Sequence, residues 1–480
     1  MKKSISIIIL IFLSLTCYSQ NRDNVWMLGY NVGGNNDRCG IDFTMGIPDT
    51  FSVESSMEFF VTNASICDNS GNLLFHTNGN YIANRNHDTL LNSMNFNPGW
   101  LTDSSGAFAL PMCQGVIVLP APNDSLRFYV LHETGSSPMP YNLPSDTNTY
   151  YDSQPFYLSY SIVDMSLDGS LGGIDALDKN IHIIDDTLSF GRITACKHAN
   201  GRDWWIITSK WYSNFYYKIL ITPDGISQAS SQQIGPILYP SDGLRDFDYR
   251  SQAVFSPDGN KYAMISQSNE LHLYDFDRCT GDLSNFRVAN IDTTNERTTS
   301  CSFSPNGRFL YASGYYNLYQ FDTWNPDLQL SQELIAQWDS FVEPLANIPT
   351  LFFIHQLGPD NKIYISTFGS TPYFHVINSP DLLGQACDFR QHSLQLANYN
   401  HTIPNFPNFE LGALAGSVCD TLTEISAVEK NFEIKIFPNP AKDYFTINYD
   451  FQTIKEADFV LYNAIGEIVL EEKLYGVFKT

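Results

Sequence analysis

Short runs of alternating apolar and polar residues recur along most of the chain, each entered through a turn rich in Pro, Asp, Asn and Gly. The clearest are Phe255-Ser-Pro-Asp-Gly-Asn-Lys-Tyr-Ala-Met-Ile-Ser266, Phe303-Ser-Pro-Asn-Gly-Arg-Phe-Leu-Tyr-Ala-Ser313 and Leu357-Gly-Pro-Asp-Asn-Lys-Ile-Tyr-Ile-Ser366. Fainter copies begin at Cys67, Pro122 and His198. Asp-Gly and Asn-Gly favour the positive φ of tight hairpin turns, and alternation sends successive side chains to opposite faces of a strand. Return strands follow, as in Leu271-His-Leu-Tyr-Asp-Phe276 and Tyr315-Tyr-Asn-Leu-Tyr-Gln-Phe321. No apolar stripe of helical period persists for four turns.

The sharper copies lie about 48 to 58 residues apart, the period of one four-stranded β-propeller blade. The pattern predicts an all-β chain: a β-propeller of about seven four-stranded blades over residues 20–420, a linker over 421–431, and a small β-sandwich over 432–480. The strand Val25-Trp-Met-Leu-Gly-Tyr30 is expected to close the ring beside the last blade, removing long free edges. Residues 84–106 and 134–152 read as long loops, and 326–349 as a loop with a short helix around 331–338. In a propeller such loops lie over one face, where ligands usually bind.

Both ends carry export signals. Met1-Lys2-Lys3 precedes an apolar run over 5–15, too short to span a bilayer, and Cys17 and Ser19 suit cleavage after Ser19. Lipidation at Cys17 is the alternative, but Ser14-Leu15-Thr16 is a poor lipobox. No later run is long and apolar enough for a membrane span. Near the other end, Phe437-Pro438-Asn439-Pro440 sets a rigid corner between two strands, because proline fixes φ and lacks an N–H. Leu461-Tyr-Asn-Ala-Ile-Gly466-Glu follows. These residues resemble the type A C-terminal sorting domain of proteins exported by the type IX secretion system of Bacteroidota. The resemblance implies the secretion machinery as a partner and a location outside the cell. Domains of that family end with further strands, so a shortened sandwich with an unpaired edge is expected here.

The Ser-Pro-Asp-Gly turns are shared by WD40-like and lactonase-like propellers. The set Trp26-Met-Leu-Gly29, Gly71-Asn-Leu-Leu-Phe-His-Thr-Asn-Gly79, Tyr274-Asp-Phe-Asp-Arg-Cys-Thr-Gly-Asp-Leu-Ser-Asn285 and Phe303 to Tyr311 resembles surface propellers of Bacteroidota. That likeness covers most of residues 24–415 and implies fold and location, not a reaction.

Charge narrows the partners. The 480 residues carry a formal net charge of -24, with 16% charged and 14% aromatic residues. The excess of acid repels nucleic acid and anionic membranes and favours weak cation binding. Many aromatics with few charges mark a folded β protein rather than an acidic disordered tail. Nine Cys are present, eight if Cys17 leaves with the signal, an even number that permits disulfides. Cys279 with Cys301 is the expected pair, since neighbouring strands bring Cα atoms within about 6 Å. Cys387 with Cys419 is a second candidate.

Candidate chemistry is sparse. His-Glu-x-x-His, Cys-x-x-Cys, Gly-x-Ser-x-Gly and phosphate-binding Gly-rich motifs are all missing from the sequence. No catalytic, cofactor or metal residue is therefore assigned. Propeller enzymes gather active residues from several blades, so this lowers the case for catalysis without removing it. His132-Glu133 reads as a surface pair. Asp246-Phe-Asp248 and Asp275-Phe-Asp277 each place two carboxylates on one strand face, a weak calcium signal without an Asp-x-Asp-x-Asp-Gly loop. The aromatics Trp204, Trp205, Trp211, Tyr212, Tyr216 and Tyr217 fit blade packing better than sugar stacking. Triplets at Asp88, Asp124, Asp186, Asp292 and Asp420, each followed by Ser or Thr and an aliphatic residue or Thr, resemble the O-glycosylation triplet of Bacteroidota. The functional expectation is a binding or adhesion module for an extracellular glycan, peptide or protein. A polysaccharide hydrolase or lyase, and a structural part of the surface or gliding apparatus, are the rivals.

Overall fold

The computed structural model describes residues 21–30, 37–106, 109–142, 149–211, 213–237, 251–266, 269–291 and 298–420, and in the tail 434–437, 446–449, 456–462 and 468–475. The chain divides into two units, Met1–Cys419 and Asp420–Thr480. In the first, seven antiparallel sheets of three to five strands follow one another in chain order and form a seven-bladed β-propeller, with a two-stranded sheet of Val342–Glu343 and Ile348–Pro349 between the last two blades. Their innermost strands are Val25–Leu28, Ala64–Cys67, Val116–Ala121, Thr194–Lys197, Ala253–Phe255, Ser300–Phe303 and Leu351–Leu357. Blades five to seven have the expected four strands, blades one and two have three, and blades three and four have five.

The recurrent turns work as their composition implies. Gly259 and Gly307 take φ of 72° and 69°, and Asn361 fills the same left-handed slot at 62° in the third copy. The serine that opens the turn also closes it: Ser256 Oγ accepts the Lys261 N–H at 2.9 Å, and Ser304 Oγ accepts the Phe309 N–H at 3.0 Å. The strands beyond differ from simple alternation. Trp204–Ser209 and Phe309–Ser313 are buried at every position. Each blade is sandwiched between two others, so both faces of its inner strands are covered, and the polar residues there point into neighbouring blades. Exposure returns at the periphery, as in Leu283–Asn290, where only Leu283 and Ala289 are buried.

Two expectations are corrected and a third is met. Residues 134–142 and 149–152 are not loop: the strands Asp124–Asn142 and Thr149–Asp164 pair antiparallel from Arg127 opposite Asp164 to Asn142 opposite Thr149. The stretch 331–338 is not helical; a 3₁₀ turn at Gln329–Ser331 leads into the strand Glu333–Gln337, which completes blade six. Its β-branched and apolar members pack on blade seven, and that tertiary contact overrides local propensity. The N-terminal strand closes the ring beside the last blade, as expected, without becoming a strand of that blade's sheet. It pairs with Asp37–Asp42 as the inner strand of blade one. Closure comes from single bonds to the end of blade seven: the Tyr30 N–H to Tyr399 O at 2.9 Å, the Gly29 N–H to Asn400 Oδ1 at 3.0 Å, and Asn398 Nδ2 to Asp37 O at 2.6 Å.

In the tail, Ile434–Phe437 pairs antiparallel with Thr446–Tyr449, and Glu456–Tyr462 with Ile468–Tyr475. Phe437 ends the first of these strands, opposite Thr446. Pro438, Asn439, Pro440 and Gly466 lie outside the described residues. Among the described residues no helix is long and apolar enough to cross a membrane.

Candidate functional site: a half-filled channel

After blade seven the chain turns into the centre of the ring. Residues 401–411 belong to no strand. They run beside the first strand in the opposite direction, with the His401 ring 6.5 Å from that of Tyr30 and the Phe406 ring 6.0 Å from that of Trp26. Polar side chains tie this segment to four blades in turn. Thr402 Oγ1 donates to Val61 O at 2.6 Å, and the Asn405 N–H to Asn63 O at 2.8 Å. Asn405 Nδ2 donates to Val116 O and Ile193 O, each at 3.0 Å, while its Oδ1 accepts Gln114 Nε2 at 3.1 Å. Asn408 Nδ2 reaches Pro257 O at 2.7 Å. Ile403, Phe406 and Phe409 are buried.

Two glutamines stitch across the same space. Gln114, before the inner strand of blade three, bonds both the N–H and the carbonyl of Ala253 in blade five at 2.8 Å. Gln252 does the same for His355 of blade seven, at 3.0 and 3.1 Å. Each satisfies backbone groups that have no ladder partner at the channel, where leaving them bare would be costly.

The side of the channel facing blades four to seven stays open. It is a cavity of about 250 Å³, walled by Phe255, Phe303, Leu357 and Phe406 and by the turn prolines Pro257, Pro305 and Pro359. Among the described residues two acidic residues belong to its lining, Asp23 and Glu410, and no Lys or Arg does. Burial pushes the Asp23 carboxyl up to about 6, and the Glu410 charge adds to the shift. Trp324, 63% exposed, stands beside Arg308 of the Ser304 turn, 4.9 Å from guanidinium to ring.

His132 and Glu133 are not a surface pair; both are fully buried. His132 Nδ1 lies 2.8 Å from Asn97 Oδ1. The Glu133 carboxylate accepts the Gly191 N–H at 2.9 Å and Thr208 Oγ1 at 3.2 Å, joining blade three to blade four. The second strand of a blade is covered on both faces, which sequence spacing did not reveal. Burial lowers His76, His132, His355 and His375 to about 3, so all four are neutral imidazoles. Asp275 meets Asn285 at 2.8 Å and Arg287 at 3.5 Å, and Asp277 caps the turn at Cys279, with its N–H at 2.7 Å. Asp246, Asp248 and Tyr212 lie outside the described residues. Trp204, Trp205 and Tyr216 are buried between blades.

The disulfide pairing is also corrected. Cys279 is bonded to Cys419, with Cα atoms 5.7 Å apart. Cys301 and Cys387 are buried free thiols. Cys301 sits on the inner strand of blade six among Leu310 and Ala312, whereas Cys279 is in an outer turn of blade five. The bond therefore fastens the end of the channel segment to the propeller. Sequence reasoning missed that segment altogether. Its signal was three large apolar residues, Ile403, Phe406 and Phe409, in a stretch that also holds Pro404 and Pro407, too apolar for a linker and too broken for a strand.

Residues 435–479 match the secretion system C-terminal sorting domain family. No curated protein matches the chain. Among solved structures, a putative 6-phosphogluconolactonase from Bacteroides uniformis is similar at 12% identity and a TM-score of 0.41, covering 79% of this chain and 98% of that one. The Swd1 β-propeller domain from Myceliophteria thermophila is similar at 10% identity and a TM-score of 0.37, over 73% and 93%. The periplasmic gluconolactonase of Pseudomonas aeruginosa is similar at 10% and 0.37, over 78% and 98%. Likeness at this level carries nothing about activity. The chain is a seven-bladed β-propeller that carries a secretion system C-terminal sorting domain, which implies the type IX machinery and export to the cell surface or the medium.

Proposed function

We propose that the exported propeller is a binding or adhesion module for an extracellular glycan, peptide or protein. The observation that carries this reading is the occupied channel. A propeller enzyme of the rival class would gather carboxylates or His in an open central funnel. Here residues 401–411 and two glutamines take up much of that space, and the half left open, which Asp23, Glu410 and His355 line, is a cavity of about 250 Å³, below the ~300–1,000 Å³ usual for small-molecule sites. The four strongly buried His are neutral, and Glu133 accepts hydrogen bonds deep between blades. An exposed aromatic on the face of the recurrent turns, Trp324, supports contact with a macromolecule there.

The test uses full-length protein purified after export. It is applied to immobilised extracellular glycans and proteins, and in parallel incubated with soluble polysaccharides while new reducing ends and unsaturated uronates are measured. Retention on a ligand without product release is the expected outcome. Product release abolished by substitutions in the channel lining would overturn it in favour of the hydrolase or lyase.

A further inference from the structure

The open half of the channel has a composition that selects a kind of guest. Its volume of about 250 Å³ lies just below the ~300–1,000 Å³ usual for small-molecule sites, so it suits one side chain rather than a sugar chain. Its walls are aromatic and aliphatic: Phe255, Phe303, Leu357 and Phe406. The charges that line it are negative, Asp23 and Glu410. Among the described residues Asp23 has no cationic side-chain partner; the turn instead uses the Asp23 backbone carbonyl, which accepts Trp26 Nε1 at 2.9 Å. A carboxylate in an aromatic pocket without a cation is an incomplete ion pair. Phosphates, uronates and other anions would be repelled by it. A protonated amine or guanidinium on an apolar stem would complete it, with cation–π attraction from the rings.

We propose that this half-channel binds a lysine or arginine side chain presented by an extracellular protein, with Asp23 as its counter-ion. The inference rests on the binding-module reading and names the chemistry that such a partner must offer. The net charge of -24 draws a basic partner toward the propeller from a distance.

Acidity supplies an independent readout. The titratable groups that line the cavity or act on Asp23 are Glu410 on the channel segment, His355 on blade seven and Cys196 on blade four, and Cys67 lies in the field of Asp23. Burial holds His355 near 3 and Cys196 near 12, so neither changes charge between pH 5 and 8. Over that range the change comes from Asp23, near 6. Only ionised Asp23 pairs with a cation, so binding is strong above pH 6 and weakens below it.

The probes are N-acetyl-lysine-N-methylamide and its norleucine and glutamate counterparts, titrated into full-length protein by calorimetry or NMR. The lysine derivative is expected to bind at least tenfold more tightly than norleucine at pH 7.5, to lose most of that advantage at pH 5, and to leave glutamate unbound. Asp23→Asn should bring lysine down to the level of norleucine without changing norleucine. Leu411→Trp, which narrows the cavity from the channel segment, should weaken both, and covers the case in which Asp23→Asn fails to fold. Equal binding of lysine and norleucine, binding of glutamate, or no binding of lysine would each overturn the assignment. If lysine does not bind while the protein still holds an extracellular ligand, the pocket assignment falls and the module reading stands. Product release with lysine binding intact would have the opposite meaning.

Discussion

Replacing Asn405 with alanine tests whether the channel segment is a working part of the propeller. Asn405 is 8% exposed, and its side chain makes three hydrogen bonds, to Val116 O, Ile193 O and Gln114 Nε2. Gln114 keeps its bonds to Ala253 in the variant. The two carbonyls lose a donor. A buried hydrogen bond contributes a net ~0.5–1.5 kcal/mol, and each buried group left bare costs ~1–3 kcal/mol. Two bare carbonyls and one lost bond therefore predict destabilisation of about 2.5–7.5 kcal/mol, toward the lower end where water from the adjoining cavity reaches the carbonyls. Asn408→Ala is the internal comparison, since its side chain makes one half-buried bond to Pro257 O and one exposed bond from the Glu410 N–H, and should cost about 1–2 kcal/mol. The assay is urea unfolding followed by tryptophan fluorescence. Trp26 and Trp204 report on this region directly, because their rings lie 6.0 Å from Phe406 and 6.1 Å from Phe409. If Asn405→Ala unfolds within 1 kcal/mol of the parent (the threshold is roughly one ordinary hydrogen bond), the segment is a passenger and the reasoning fails.

The Cys279–Cys419 bond closes a loop with a sequence separation of 140, worth up to about 5 kcal/mol in the chain-entropy treatment and ~2–4 kcal/mol in practice; Cys279→Ser with Cys419→Ser should lower the urea midpoint and speed protease cleavage around residues 412–419, and an unchanged digest would refute the fastening role. Acid should destabilise the propeller. His76, His132, His355 and His375 are held near 3, below the 6.5 of a free imidazole, so the unfolded chain takes up protons first and stability falls as pH drops from 6.5 toward 3. At pH 5 the four together withdraw at most roughly 8 kcal/mol, comparable with the ~5–15 kcal/mol of a whole domain; a urea midpoint that stays constant from pH 7 to 5 would contradict this. Deleting residues 432–480 should leave an internally tagged chain in the periplasm while the parent reaches the surface or medium, as read by fractionation, and equal export of both would show that the tail is not needed as an address.

Repetition and composition determined much on their own. A Ser-Pro-Asp-Gly turn needs only its own residues: Gly259 supplies the positive φ, and Ser256 supplies the acceptor for the Lys261 N–H, so turn and strand are written in adjacent positions. Repeated at a steady period, such units specify blades and their number. The tail was legible for the same reason, as a contiguous match over residues 435–479. Tertiary structure decided everything that joins distant positions. Which cysteine meets Cys279 depends on where residues 412–419 emerge from the ring, and no spacing encodes that route. Whether His132 and Glu133 face water or a neighbour depends on blade-to-blade packing. The cavity is the sharpest case. Asp23 and Glu410 stand at opposite ends of the propeller sequence and meet because residues 401–411 run back along the first strand. Local pattern sets φ, ψ and strand register, which depend on near neighbours. A site between blades depends on ring closure, which brings together residues nearly four hundred positions apart.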